Sequence, residues 1–160
     1  MAVRIGFGYD SHRFNDGDYI IVGGIKIAFD KGLDAHSDGD VLLHALCDAL
    51  LGAAAMGDIG KHFPDNDPKY KDIDSSALVK HVMLELSKKN YAIGNVDSTV
   101  ILEKPKLAAH IPLMQKNVCD LLNVALDDVN IKATTNEGMG FVGRGEGLAA
   151  YVTVTLFSKP

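Results

Sequence analysis

Apolar and polar positions alternate strictly over residues 2–9, where Val3, Ile5, Phe7 and Tyr9 interleave with Arg4, Gly6 and Gly8. A period of two predicts a strand, and its glycines allow another backbone to approach closely near the strand's end. The strand delivers Asp10 and His12, which project to the same side if the backbone stays extended past Tyr9; a polar turn is expected from Arg13. Residues 19–28 carry two short apolar runs around Gly23-Gly24, the pattern of a tight hairpin. Residues 29–39 are polar, acidic and glycine-containing, so they are expected to form a loop with room to move.

The period then changes to that of a helix, expected from near Asp38 to about Ala55. Ser37 and Asp40 read as a capping box, Gly52 weakens the end and Gly57 terminates it. Leu42, Leu43, Leu46, Cys47, Leu50 and Leu51 supply an apolar face, while Asp40, His44 and Asp48 follow one another at i, i+4. Residues 56–70, with two prolines, are expected to be structureless and polar; a connection of that length is more often functional than a spacer. A second helix is predicted over 75–90, capped by Asp74 or Ser75, with Leu78, Val79, Val82, Met83 and Leu86 buried. Next come a strand over 96–102, a helix from 107 or 108 to 123 with Pro112 in its first turn, and a strand over 129–133. A glycine-rich segment and a last strand over 148–157 close the chain. This order predicts an α/β fold: one domain over 1–160, with helices packed on one side of a mixed β-sheet.

Composition narrows the function classes. A net charge of −5 argues against nucleic acid as a partner, which would call for a basic stripe, but leaves anionic small molecules open. No apolar run approaches the ~20 residues of a membrane span, so no membrane partner is expected. The chain enters a strand at once, leaving no room for a leader, and Cys47 and Cys119 both fall in helical apolar patterns as buried free thiols. A reducing, cytoplasmic location is the expectation.

Four constellations can carry chemistry. Asp10, His12 and His44 offer one carboxylate and two imidazoles, a set that suits zinc and leaves a fourth position open. Satisfied polar groups at a strand end are the competing reading, with Asp48 a candidate support for His44 or a plain helix acid. Asp58, Gly60, Lys61, His62 and Asp65 form a loop able to wrap a hydroxylated ligand, or a solvated connection. Lys104-Pro105-Lys106 presents two cations across a rigid residue, for a phosphate or base edge, or as a charged turn. Thr134, Thr135, Asn136 and Glu137 give hydroxyl and N–H donors to a phosphate and a carboxylate to a divalent cation, although the P-loop order is absent. Arg144 can bind an anion or pair with Glu146.

Together, DSH at 10–12, HSDGDVLLHA at 36–45, GDIGKHFPD at 57–65 and KATTNEGMGFVGRGEG at 132–147 resemble the 2-C-methyl-D-erythritol 2,4-cyclodiphosphate synthases of the non-mevalonate route to isoprenoid precursors. The resemblance covers essentially the whole chain. It implies that Asp10, His12 and His44 hold a zinc ion, one per subunit, and that His36 and Ser37 form a loop touching the substrate's 2-phosphate. Asp58, Ile59 and Gly60 would form the methylerythritol pocket, bordered by His62 and Asp65. Lys104, Pro105, Lys106 and Leu107, with Ala133, Thr134 and Thr135, would bind cytidine. Glu137 would ligate Mg²⁺ or Mn²⁺ held with the substrate diphosphate, and His36 and Thr135 are the catalytic candidates.

The resemblance also implies a homotrimer with sites between subunits. Phe141 and Arg144 would line a central cavity able to hold an isoprenoid diphosphate; Tyr151 stands where relatives often carry a glutamate beside that arginine. The implied reaction converts 4-diphosphocytidyl-2-C-methyl-D-erythritol 2-phosphate into the 2,4-cyclodiphosphate and CMP. Two rivals stay open on the residues alone. One is a zinc phosphohydrolase, which would yield a linear product. The other is a non-enzymatic isoprenoid-phosphate binding module, whose structural zinc would take a fourth protein ligand.

Overall fold

The computed structural model describes residues 3–64 and 66–158. In chain order it contains β1 (Val3–Asn15), β2 (Tyr19–Val22), β3 (Ile25–Ala28), β4 (Gly32–Asp34), α1 (Val41–Ala53), α2 (Ile59–His62) and α3 (Ser75–Lys88). Then follow β5 (Tyr91–Ile101), α4 (Ile111–Leu122), β6 (Val129–Thr134), α5 (Gly140–Gly143) and β7 (Gly147–Ser158). Five strands form a mixed sheet in the order β4-β1-β7-β5-β6, antiparallel throughout except for the β5–β6 pair. The β2–β3 hairpin stands apart from it. Helix α1 lies across β1 and β7, α3 meets β5, and α4 meets β6, so the helical layer covers one face, as the pattern predicts.

The first strand does not end at Tyr9. It continues through Asp10 and His12 to Asn15, replacing the expected polar turn, because Arg13, Phe14 and Asn15 pair with Asp34, Leu33 and Gly32. The same pairing puts a short strand inside the segment expected to be loop. Neither stretch has an apolar alternation to announce it; the pairing of the two strands holds it extended, with Phe14 and Leu33 packed against the core.

Along β1 the two faces differ completely. Val3, Ile5, Phe7 and Tyr9 point outward and are exposed, Ile5 by 71%, while Gly6 and Gly8 face inward and are buried. A β-carbon on Gly8 would lie 1.8 Å from the Ala45 carbonyl oxygen, and one on Gly6 would lie 1.8 Å from that of Ala49. The backbones of α1 and β1 are therefore in direct contact, closer than any side chain permits. Helix α1 is buried from Val41 to Ala53 on nearly every side, with Asp48 only partly exposed and Gly52 its one open position. The helix is a central element of the core rather than an amphipathic surface helix.

Asp40, not Ser37, caps this helix. Its side chain accepts the Leu43 N–H at 3.0 Å, and also the Gly23 and Gly24 N–H groups at 2.9 and 2.6 Å. Gly23 and Gly24 have φ of +61° and +75°, the left-handed pair that a two-residue hairpin turn demands. Burial pushes the Asp40 carboxyl up to about 6, while its three N–H donors pull it down. Asp40→Ala leaves those donors without their acceptor, and unfolding by urea should register a loss of about 3 kcal/mol. A loss within the range of an exposed cap, about 1 kcal/mol, would mean that the hairpin contacts add nothing to the cap.

Elsewhere the differences are at boundaries. Helix α1 stops at Ala53, ahead of Gly57, with Ala55 taking the left-handed conformation. Residues 56–70 are not structureless: Asp58 caps the single turn α2, and Asp67 caps a 3₁₀ turn at Pro68–Tyr70. Helix α3 is capped by Asp74, and Met83 is partly rather than fully buried. Strand β5 begins at Tyr91, five residues before the expected start. Helix α4 begins at Ile111, because residues 107–110 close a turn in which the His110 N–H donates to the Leu107 carbonyl; Pro112 falls in its first turn as required. The glycine-rich segment folds one helical turn, α5. Cys47 and Cys119 are buried and free. Among the described residues no helix is long and apolar enough to cross a membrane.

Candidate active site

Because β1 stays extended past Gly8, Asp10 and His12 continue the inward row on which α1 is seated. The helix crosses that row with Ala45 over Gly8, which brings His44 onto the next inward position, Asp10. Asp10 Oδ2 lies 2.9 Å from His12 Nε2 and 3.0 Å from His44 Nδ1, and the two nitrogens are 3.1 Å apart. Among the described residues these three form the one group of acid, histidine and cysteine side chains whose donor atoms converge within metal-binding reach. Ligand atoms around a tetrahedral zinc sit about 3.3 Å from one another, given Zn–N and Zn–O bonds near 2.0–2.1 Å. The triangle needs only a small expansion to fit. Two imidazole nitrogens and one carboxylate oxygen are also the donor chemistry zinc takes when one position is left for a ligand.

Burial works to raise the Asp10 carboxyl, but hydrogen bonds and charge from His12 and His44 outweigh it and hold it at about 2. For His44, burial disfavours the cation, yet the hydrogen bond and charge of Asp10 win and hold the ring above its ordinary 6.5. The Asp10 carboxylate thus favours protonation of the His44 ring beside it. A bound metal demands the opposite state of that ring.

The other ring nitrogen, His44 Nε2, lies 2.8 Å from Ser75 Oγ and 3.1 Å from Ser37 Oγ. Neither acid of the helix row touches the ring. Asp40 is the cap, and Asp48 Oδ1 instead accepts the Ile59 N–H at 2.7 Å, holding α2 against α1. The candidate support for His44 therefore serves the loop, since Asp48 sits beyond the ring on the side where α2 begins. Burial raises its carboxyl above the ordinary value, with the Ile59 N–H pulling the other way.

These groups open onto a cavity of about 360 Å³. His36, Ser37, Ile59 and Gly60 line it together with the cluster, as the motif assignments require. Its apolar wall is Phe63, Tyr70, Ile73 and Leu78, none of which sequence reasoning marks as part of the site. Leu78 lies on the predicted buried face of α3, but nothing distinguishes a residue lining a cavity from one filling the core. Asp58 and His62 are held beside the cavity by local bonds: Asp58 Oδ1 accepts the Lys61 N–H, and His62 Nε2 bonds the Met56 carbonyl. Asp65 lies outside the described residues.

A second, smaller cavity of about 160 Å³ gathers Pro105, Lys106, Leu107, Ala133, Thr134 and Thr135, all from the predicted nucleotide segments. It shares no lining residue with the first. Its two loops are joined by Glu103, unmarked in the sequence, whose Oε1 accepts the Asn136 N–H at 2.8 Å. Glu137 is adjacent, its Oε1 accepting from Thr135 Oγ1 at 3.3 Å. Lys104 turns toward a neighbouring cleft with Arg144, whose Nε donates to Glu146 Oε1 at 2.7 Å. Phe141 is exposed on α5, and Tyr151 packs against Tyr9 on the open sheet face with ring centroids 5.0 Å apart.

Comparison with known proteins gives one answer. A family model described as the YgbB family matches residues 3–157. The 2-C-methyl-D-erythritol 2,4-cyclodiphosphate synthase of Pseudomonas paraeruginosa is 56% identical over 157 residues, which is 98% of this chain and 100% of that one. Among solved structures, the bifunctional IspDF from Campylobacter jejuni superposes with a TM-score of 0.93 at 40% identity, over 97% of this chain and 42% of that longer one. The CDP complex of IspF from Plasmodium falciparum superposes with a TM-score of 0.87 at 33% identity, over 99% and 98% of the two chains. By family model, and by identity sustained along nearly its whole length, this chain belongs to the YgbB family.

Proposed function

We propose that this protein cyclises 4-diphosphocytidyl-2-C-methyl-D-erythritol 2-phosphate to 2-C-methyl-D-erythritol 2,4-cyclodiphosphate, releasing CMP. One observation carries the reading within the family: Asp10, His12 and His44 open together onto a cavity walled by His36, Ser37, Ile59 and Gly60. The substrate brings its own nucleophile. An oxygen of the 2-phosphate forms a bond to the β-phosphorus, the bridge between the α- and β-phosphates breaks, and CMP leaves with the electron pair. A phosphate oxygen is already deprotonated near neutral pH, so no side chain has to act as base. Zinc held by Asp10, His12 and His44, and Mg²⁺ or Mn²⁺ held at Glu137, would neutralise phosphate charge and polarise the phosphorus under attack.

The remaining work falls to the chain. Asp48 fixes Ile59 and Gly60, and with them the wall against which the methylerythritol packs. His36 and Ser37 take the 2-phosphate, and Lys104 to Leu107, with Ala133, Thr134 and Thr135, take the cytidine. Holding the folded-back substrate in line is the main source of rate. The separation of the two cavities supports a site completed by a neighbouring copy. The sheet face that leaves Val3, Ile5, Phe7, Tyr9 and Tyr151 uncovered supports a homotrimer built upon it. An isoprenoid diphosphate bound at Phe141 and Arg144 would share the guanidinium with Glu146, which takes its Nε–H. Two buried free thiols agree with a reducing cytoplasm, and the chain works as one domain.

Product analysis is the test. With zinc and magnesium, ³¹P NMR should find CMP as the one phosphomonoester and the signals of a cyclic diphosphate, the substrate's 2-phosphate monoester having disappeared; a linear 2,4-bisphosphate, or no turnover, would sink the assignment. The electrostatics add an expected pH dependence. His44 must be neutral to ligate, and Asp10 holds it above 6.5, so protons compete with zinc below that raised value. Apparent zinc affinity should therefore fall as pH drops from about 8 to about 6, each zinc expelling a proton near the lower end. Calorimetry in two buffers of different ionisation heat measures this; equal affinity and no proton release at about pH 6 would contradict it.

A further inference from the structure

His44 presents one nitrogen to Asp10 and His12 and the other to two hydroxyls, and the hydroxyls are not equivalent. Ser75, the first residue of α3, is fully buried, with its Oγ 2.8 Å from Nε2. Its hydroxyl donates to Asp38 Oδ1, and its backbone N–H donates to Asp38 Oδ2 at 3.0 Å. Asp38 also accepts the Asp40 N–H at 3.0 Å, and its own N–H donates to the Ile73 carbonyl. Ser37 lies farther from the ring, at 3.1 Å, accepts the Gly39 N–H at 3.3 Å and lines the cavity.

Proton counting separates them. If Nδ1 gives its lone pair to a metal, Nε2 carries the ring's single proton and can only donate. Ser75 spends its own proton on Asp38 and so meets Nε2 with a lone pair. We propose that Ser75 and Asp38 are positioning residues that hold the His44 ring in its metal-ligating tautomer, through Nε2–H donating to Ser75 Oγ and Ser75 O–H donating to Asp38. Ser37 is freed in turn. A protonated Nε2 cannot accept the Ser37 hydroxyl proton, so that proton is left at the cavity wall for a phosphate oxygen. The adjacent residues Ser37 and Asp38 thus serve different partners. This inference rests on the reading of Asp10, His12 and His44 as the zinc site.

Zinc affinity, measured by competition with a chromophoric chelator, tests it on the full-length protein. Ser75→Ala and Asp38→Asn should each weaken zinc by about 10- to 100-fold, the range seen when partners of ligating histidines are removed. Ser37→Ala should change zinc affinity by less than about twofold while raising the KM for substrate. The double variant Ser75→Ala/Asp38→Asn should lose little more than the worse single one, because both act on one ring. Ser75→Cys keeps the side chain's shape and weakens its hydrogen bonds, so it replaces Ser75→Ala if the alanine variant fails to fold. A cobalt(II)-loaded sample should show an altered visible spectrum in Ser75 and Asp38 variants but not in Ser37→Ala. Unchanged zinc affinity in Ser75→Ala and Asp38→Asn, or an equal loss in Ser37→Ala, would overturn the relay. If His44→Ala bound zinc as tightly as the unaltered protein, the site itself would be misread and the function with it.

Discussion

His44→Ala should abolish tight zinc binding and lower kcat/KM by about three orders of magnitude, the scale on which loss of a charge-stabilising group at a reacting phosphate registers. The size follows from the geometry. His44 supplies one corner of a triangle whose edges are 2.9, 3.0 and 3.1 Å, and no other acid, histidine or cysteine among the described residues is within reach to replace it. Asp10→Asn should behave similarly while keeping the side chain's shape, because it removes the negative charge around which both imidazoles gather. Circular dichroism should find both variants folded, since the core lies in α1 and the sheet rather than in the cluster. Activity within tenfold of the parent in either variant would mean that the reaction does not depend on this centre.

Gly8→Ala, with its counterpart at Gly6, should be among the most damaging single-methyl additions at the described residues. Its β-carbon would lie 1.8 Å from the Ala45 carbonyl oxygen, which is backbone in the middle of a buried helix and cannot rotate away. Either α1 lifts from β1 or the strand buckles, and a loss of at least about 3 kcal/mol is expected. For a chain of this size that corresponds to a fall in Tm of about 6–12 °C. The damage should reach zinc as well, because seating Ala45 on Gly8 is what brings the preceding helical residue, His44, against Asp10. Gly52→Ala supplies the contrast within the same helix. An added β-carbon there meets nothing within 4 Å, and a stabilisation of about 0.5–1 kcal/mol is expected. Equal effects at the two glycines would be incompatible with direct backbone contact between α1 and β1.

Much of this architecture is legible in the residues. Strict alternation over β1, the Gly-Gly turn and the helical period of α1 each carry a local physical signal, and all three elements form where expected. The close-approach role of Gly6 and Gly8 is legible for the same reason, since a strand interior gains nothing else from glycine. What escapes the sequence is whatever depends on a distant partner. The extension of β1 to Asn15 needs β4, and the capping role of Asp40 needs Gly23 and Gly24, some sixteen residues away. The site divides in the same way. Asp10, His12 and His44 can be picked out by donor chemistry, and the family motifs bring in His36, Ser37, Ile59 and Gly60. Ser75, Glu103 and the cavity wall of Phe63, Tyr70 and Ile73 cannot be found from their own neighbourhoods. A serine after an aspartate reads as a helix cap, and only the fold shows that its hydroxyl meets a histidine ring.

In the proposed reaction the substrate's own phosphate, rather than water, attacks the diphosphate. Running it in ¹⁸O-enriched water and weighing both products decides the matter most directly. Cyclisation incorporates no solvent oxygen, so CMP and the cyclic diphosphate should both carry natural-abundance oxygen. One ¹⁸O atom in either product would mean that water is the nucleophile, and that the cavity beside Asp10, His12 and His44 belongs to a hydrolase.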